Sequence, residues 1–250
     1  MIVIKNKQAI DKMRTAGKLL AEIMEKVKII IEPGIDSFEI DFFIEKNMHE
    51  VGLKPVCKGY AGYKHATCIS INDVVIHGVP SKNIILKTGD LIKIDVVGAY
   101  KNYCADLTRS YFVGNVSESV KKIVEISQKA LDSGILEVQI GKKVSDISKT
   151  IEKIVKDEGF EIVRNFAGHG IGKNIHELPE IPNFYQKGNS DTVLRPGMTF
   201  AIEPMITEKG YEIFIESDGW TVKTLDGGLA GHVEDTILVT ESGPEILTRL

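Results

Sequence analysis

LKTGDLIKID (Leu86–Asp95) and LRPGMTFAIE (Leu194–Glu203) share one wording, and each ends by setting a carboxylate into an apolar strand. The likeness extends outward on both sides. Upstream, FFIEKNMHEVGL from Phe42 aligns with KTIEKIVKDEGF from Lys149, and AGY at Ala61 to Tyr63 aligns with AGH at Ala167 to His169. Downstream, DLT at Asp106 answers EDT at Glu234. A duplicated half-site follows, with Asp95 and Asp106 from one copy and Glu203 and Glu234 from the other.

The flanking periodicities give both copies one element order. Ala9, Ile10, Met13, Ala16, Leu19, Leu20, Ile23, Met24 and Val27 recur at three- and four-residue steps, predicting a helix that stops before Pro33-Gly34. A second helix is expected from an N-cap at Ser37, with Phe38, Phe42 and Met48 on its buried side and Gly52 as its stop. Strands then run from about Thr67 to Val113. The second copy has Ser117 capping a helix with the stripe Val120, Ile123, Val124, Ser127 and Leu131. Ser145 caps the next, which buries Ile147, Ile151, Ile154 and Val155, and Gly159 stands where Gly52 stood. Helices followed by mostly antiparallel strands imply an α+β fold with helices covering one face of a sheet. A single catalytic domain over 1–250 is expected, built from two pseudo-symmetric halves at about 1–113 and 114–250. Two domains with independent sites are the competing picture; the short connection around Gly114-Asn115 argues against it.

Composition narrows the functional classes. The 250 residues are 43% hydrophobic with a net charge of −4, which is ordinary for a globular protein and leaves no broad basic footprint for nucleic acid or acidic lipid. No segment reads as a signal peptide or membrane span, so a cytoplasmic location is expected. Cys57, Cys68 and Cys104 form neither a CxxC clip nor a disulfide framework and are expected as reduced thiols.

Asp95 taken alone could be a solvent-facing carboxylate on a half-buried strand. Its counterpart Glu203 sits in FAIEPMI, where an unpaired charge would be costly to bury and a cation removes the cost. His169, in the glycine-rich NFAGHGIG, supplies a nitrogen, with Gly168, Gly170 and Gly172 expected to turn the backbone tightly. Carboxylate and imidazole together suit Mn, Fe, Co or Zn. The charge of Asp95, Asp106, Glu203 and Glu234 is balanced by two divalent cations, the arithmetic of a two-metal hydrolase. His77 in HGVP and His176 in HELP occupy matching phrases from which each could reach a substrate carbonyl or amide. His49, His65 and His232 are read as satisfied histidines at loop edges. No nucleophile elbow, phosphate loop or dinucleotide fingerprint is present, and a Cys-His hydrolase would leave the acids unexplained.

From CKGYAGYKHATCISINDVVIHGVP through IDV, ADLT, GHGIGKNIHELPEIPN, LRPGMTFAIEPM and DGWTVKT to VEDTILVT, the chain resembles the type I methionine aminopeptidases. The resemblance implies a pita-bread fold, a curved antiparallel sheet covered by helices, and removal of N-terminal methionine ahead of a small second residue. It implies metal ligands at Asp95, Asp106, His169, Glu203 and Glu234, with Asp106 and Glu234 bridging two ions and Glu203 moving a proton. His77 would contact the scissile amide and His176 the tetrahedral intermediate. Cys57, Tyr60, Tyr63, Cys68, His77 and Trp220 would line the methionine pocket, a soft surface suited to a thioether. Three departures stand out: Ile175 where relatives commonly carry an aromatic, Asp235 where many have His, and the wording KNYCADLTRSY before the second ligand. The short span from His176 to Glu203 fits type I, and the lack of a zinc-binding extension fits a bacterial or organelle-derived enzyme. Nascent polypeptide N-termini are the expected partners, with ribosome association and a monomeric state as further expectations. Xaa-Pro peptidases share the ligand set but usually carry another N-terminal domain, and a silent peptide-binding homologue would have lost ligands.

Overall fold

The structure, a computed structural model, describes residues 1–186 and 191–250. Helix α1 (Lys7–Val27) starts where the Asn6 side chain accepts the Ala9 amide at 3.0 Å, and it buries Met13, Ala16, Leu20, Ile23, Met24 and Val27 as the stripe requires. Helix α2 (Ser37–Glu50) departs from the expected start by one residue. Asp36, not Ser37, is the N-cap and accepts the Glu39 amide at 2.8 Å, while Ser37 is the first helical residue and binds Ser81. Its buried face is Ile40, Ile44 and Met48; Phe42 points outward and is 60% exposed. Phe42 lies two positions from both Ile40 and Ile44, a spacing that sends side chains to opposite sides of a helix.

Helix α3 (Glu118–Leu136) is capped by Ser117, as its sequence predicts. Helix α4 (Val144–Asp157) starts earlier than expected, with Lys143 at the cap position and the Asp146 carboxylate accepting the Lys143 amide at 2.9 Å. Ser145 instead donates to Asp191 at 2.7 Å.

Among the described residues every strand pairing is antiparallel. The main sheet runs in the order Lys54–Pro55, Leu91–Tyr100, Tyr103–Phe112, Glu234–Thr240, Thr199–Ile202, Ala167–Gly170, Glu177–Pro182, with Thr67–Ile71 and Gly243–Ile246 paired on its flanks. Tyr103–Phe112 pairs with Glu234–Thr240, which joins the main-sheet strands of residues 54–112 to those of residues 167–246. Beneath α1 and α2 lies one apolar cluster, including Leu20, Ile44, Ile94 and Leu107. A second, including Ile123, Ile147, Ile151 and Phe200, lies beneath α3 and α4. Burying an aliphatic side chain stabilises by about 1.5–3 kcal/mol, so each cluster clamps its helix pair to its part of the sheet.

Candidate metal centre

Strand register sets the acids together. Side chains alternate across a strand, and Val97 pairs with Asp106 while Asp95 pairs with Thr108, so both aspartates share one face of the sheet. Glu234 pairs with the same Thr108 and accepts its hydroxyl at 2.9 Å. Asp235 pairs with Ile202, and continuing that register by one residue sets Glu203 across from Glu234. His169 lies on the next strand, with its Nε2 3.4 Å from Glu203 Oε1 and 3.8 Å from Asp106 Oδ2.

Ligand atoms of Asp106, His169 and Glu234 all lie within 4.8 Å of one another. Asp95 and Glu203 border the same cavity of about 280 Å³. Burial raises all four acids. Glu234 further raises Asp106, Asp95 further raises Glu203, and Glu203 further raises Glu234, while for Asp95 the neighbouring His232 and a hydrogen bond with Asp106 pull the other way.

Two observations fit a divalent cation at this place. Asp106 Oδ1 and Glu234 Oε1 are buried without a hydrogen-bond partner, which is costly for carboxylates unless something positive meets them. His169 Nδ1 lies 3.1 Å from the Gly170 carbonyl, a contact that needs a proton on Nδ1 and turns the Nε2 lone pair toward the acids. Burial holds this imidazole neutral, lowered to about 4. A hard-to-intermediate divalent ion with mixed oxygen and nitrogen preference suits that donor set.

The glycine-rich tract works differently from the turn expected of it. Ala167–Gly170 is a strand, and its glycines admit neighbouring backbone: a Cβ on Gly168 would meet the Ala201 carbonyl at 2.4 Å, and one on Gly170 the Leu178 carbonyl at 2.3 Å. Close packing on both sides is what seats His169 against the acids.

Both remaining histidines of the matching phrases reach the cavity. His77 takes a φ of 56° and stacks edge-on against Phe166 at 5.7 Å. His176 stacks on His169 at 4.4 Å, and its Nδ1 shares a 2.9 Å hydrogen bond with the Tyr60 hydroxyl. Cys57, Tyr63, Cys68, Ile175 and Trp220 complete the wall, with Tyr63 edge-on to Trp220 at 5.0 Å. All three cysteines are buried free thiols.

His232 is misplaced by its sequence reading as a loop-edge residue. It is 2% exposed on the strand Ala230–His232, and its Nε2 lies 3.5 Å from Glu203 Oε2. Two-residue spacing from Glu234 was the available signal, since alternate residues of an extended run share a face. Lys93, on the Asp95 strand, is likewise buried, donating to the carbonyls of Asn72 and Ala230 at 2.8 Å each. The Asp235 departure also has a structural counterpart. That carboxylate is fully buried and accepts from Arg109 at 2.8 Å, Arg249 at 2.6 Å and Thr248 at 2.7 Å.

The model of metallopeptidase family M24 matches residues 11–241. A methionine aminopeptidase of Clostridium perfringens is 40% identical over 248 residues, covering 99% of both chains, and methionine aminopeptidase 1 of Bacillus subtilis is 39% identical across 100% of both. This chain belongs to the methionine aminopeptidases of family M24. The crystal structure of the Thermotoga maritima methionine aminopeptidase superposes on this metallopeptidase with a TM-score of 0.97 at 39% identity, covering 100% of both chains. The expected pita-bread fold is therefore the fold observed. A Xaa-Pro dipeptidase of Bacillus anthracis shares it less closely, with a TM-score of 0.78 at 28% identity. That match takes in 99% of this metallopeptidase but 62% of the dipeptidase. Among the described residues no helix is long and apolar enough to cross a membrane.

Proposed function

We propose that this metallopeptidase removes the N-terminal methionine of nascent polypeptides whose second residue is small, using divalent cations held by Asp95, Asp106, His169, Glu203 and Glu234. The observation that carries the proposal is their convergence: the acids and His169 share one cavity wall with the thiol- and aromatic-lined recess formed by Cys57, Tyr63, Cys68 and Trp220. Bound there, two such ions would acidify water and polarise a carbonyl, with Co, Mn, Fe and Zn all compatible with the donors.

The chain's own groups do the rest. The recess receives the methionine side chain, its rings and thiols offering polarisable contact to the thioether. Burial lowers His77 to about 4, so near neutral pH it carries one ring proton to hold against the scissile amide. His176, lowered by burial and steadied by Tyr60, donates to the oxygen of the tetrahedral species. Glu203, lining the cavity with Oε1 3.4 Å from His169 Nε2, would take a proton from the attacking water and return it to the departing amine. Its kinship with bacterial methionine aminopeptidases supports a cytoplasmic place of work.

Metal-free protein reloaded with Mn or Co and given Met-Ala-Ser, Met-Leu-Ser and Ala-Pro peptides tests the reading. Methionine should come mainly from Met-Ala-Ser, and only after reloading. Cleavage confined to the Xaa-Pro bond would contradict it.

A further inference from the structure

Glu203 is bracketed by two imidazoles, one at each carboxylate oxygen. Oε1 lies 3.4 Å from His169 Nε2, and Oε2 lies 3.5 Å from His232 Nε2. Two strands keep the second contact in register, because His232 pairs with Met205, two residues after Glu203. The His232 backbone is fastened as well: Ser110 Oγ donates to its carbonyl at 3.0 Å, and the buried Lys93 Nζ donates to the Ala230 carbonyl at 2.8 Å. Yet His232 Nε2 itself is buried without a hydrogen-bond partner. A ring nitrogen left in that condition costs stability unless it meets an acceptor; Asp95 also acts on this ring, but the carboxylate oxygen set 3.5 Å from Nε2 is Glu203 Oε2.

We propose that His232 is a positioning residue for Glu203. Its Nε2–H donates to Oε2, which fixes the carboxylate rotamer and keeps Oε1 turned toward His169 and the reacting atoms. The inference rests on the reading of Glu203 as a metal ligand that moves a proton. A small rotation of that carboxylate would spoil both tasks, so the partner that holds it acts on affinity for the ion and on the chemical step, not on peptide binding.

Two replacements separate positioning from filling. His232→Leu keeps apolar volume and removes the donor; His232→Gln offers an amide N–H near the place of Nε2. Metal-free wild type and both variants are titrated with Mn2+ by calorimetry, their melting temperatures are recorded, and kcat and KM are measured on Met-Ala-Ser. Leucine should weaken Mn2+ binding or kcat by about 10- to 100-fold with KM unchanged, the usual cost of losing a ligand's supporting partner. Glutamine should recover most of that loss. A leucine variant with wild-type Mn2+ affinity and kcat would overturn the assignment, and so would a glutamine variant no better than leucine. If leucine does not fold, His232→Met makes the same comparison. Wild type that binds Mn2+ but releases no methionine would end the functional reading alone, since the affinities would still judge His232.

Discussion

His77 holds a left-handed backbone, with φ at 56°, that non-glycine residues adopt at a cost of order 1–3 kcal/mol. The neighbouring Gly78 explains how the conformation is kept: a Cβ there would strike the Ile69 carbonyl at 2.1 Å, so the chain is pressed against the Thr67–Ile71 strand. Strain of this kind, at a cavity-lining imidazole, belongs to function more than to stability. Replacing His77 by Gly should therefore leave the melting temperature unchanged or raise it, while kcat on Met-Ala-Ser falls about 100- to 1000-fold. A parallel fall in melting temperature would deny the strain.

The buried acids make a second residue-scale prediction. Asp106, Glu203 and Glu234 have folded pKa values raised above their unfolded values, chiefly by desolvation. Their contribution to stability is thus present below the unfolded carboxylate range and lost as pH rises through the folded values. Metal-free protein should lose melting temperature as pH climbs above about 6.5, where only the acids still titrate differently in the folded and unfolded states. Added Mn2+ should restore more at pH 7.5 than at pH 5.5, because the ligands must shed protons to bind it. His77, His169 and His232, each lowered to about 4 by burial, act in the opposite sense below about pH 6.5, where the unfolded imidazoles take up protons that the folded ones refuse. Differential scanning calorimetry at both pH values, with and without Mn2+, reads the sign directly.

At the scale of elements, the strand carrying Glu234 is tied down by the following residue. Arg109 donates to the Glu234 carbonyl at 2.7 Å and to Asp235, and Arg249 closes on the same carboxylate. A histidine at this position could not accept from two guanidinium groups, so Asp235 and the two arginines act as a set. Arg109→Ala should destabilise by about 2–3 kcal/mol, since it leaves a fully buried carboxylate with fewer partners. Arg249→Ala should cost less, about 1 kcal/mol, because that side chain is 35% exposed and solvent screens it. Urea unfolding measures both, and equal costs would contradict the ranking. Gly170→Ala forces a Cβ onto the Leu178 carbonyl and should lower stability and Mn2+ affinity together, since the strand it distorts carries His169.

Which parts of this were legible beforehand follows from what periodicity can encode. The stripes of α1, α3 and α4 and the paired acids repeat at fixed spacing and could be read directly. The caps of α2 and α4 could not, because Asp36 competes with Ser37, and Asp146 performs by a reach-back bond what Ser145 was expected to do. Phe42, expected on the buried side, faces outward because it lies two positions from each of the buried Ile40 and Ile44. His232 was signalled only by its two-residue spacing from Glu234, since its partner Glu203 is distant in sequence and reaches it through strand register, where His232 pairs with Met205. Glycines beside His169 looked like a turn; close backbone approach and tight turns make the same demand on composition.

Across the whole molecule, each helix pair clamps its own apolar cluster, and the acids line the junction where Tyr103–Phe112 meets Glu234–Thr240. Asp95 and Asp106 arrive from one side of that seam, Glu203 and Glu234 from the other, with His169 on the next strand. A centre built across a seam forms only when both sides are folded and docked, so binding of the ion and stability of the junction are coupled. Anomalous scattering from crystals grown with Mn2+ tests the central claim most directly. The account predicts manganese density in contact with Asp95, Asp106, His169, Glu203 and Glu234 together; manganese bound elsewhere, in protein that still releases methionine from Met-Ala-Ser, would contradict it.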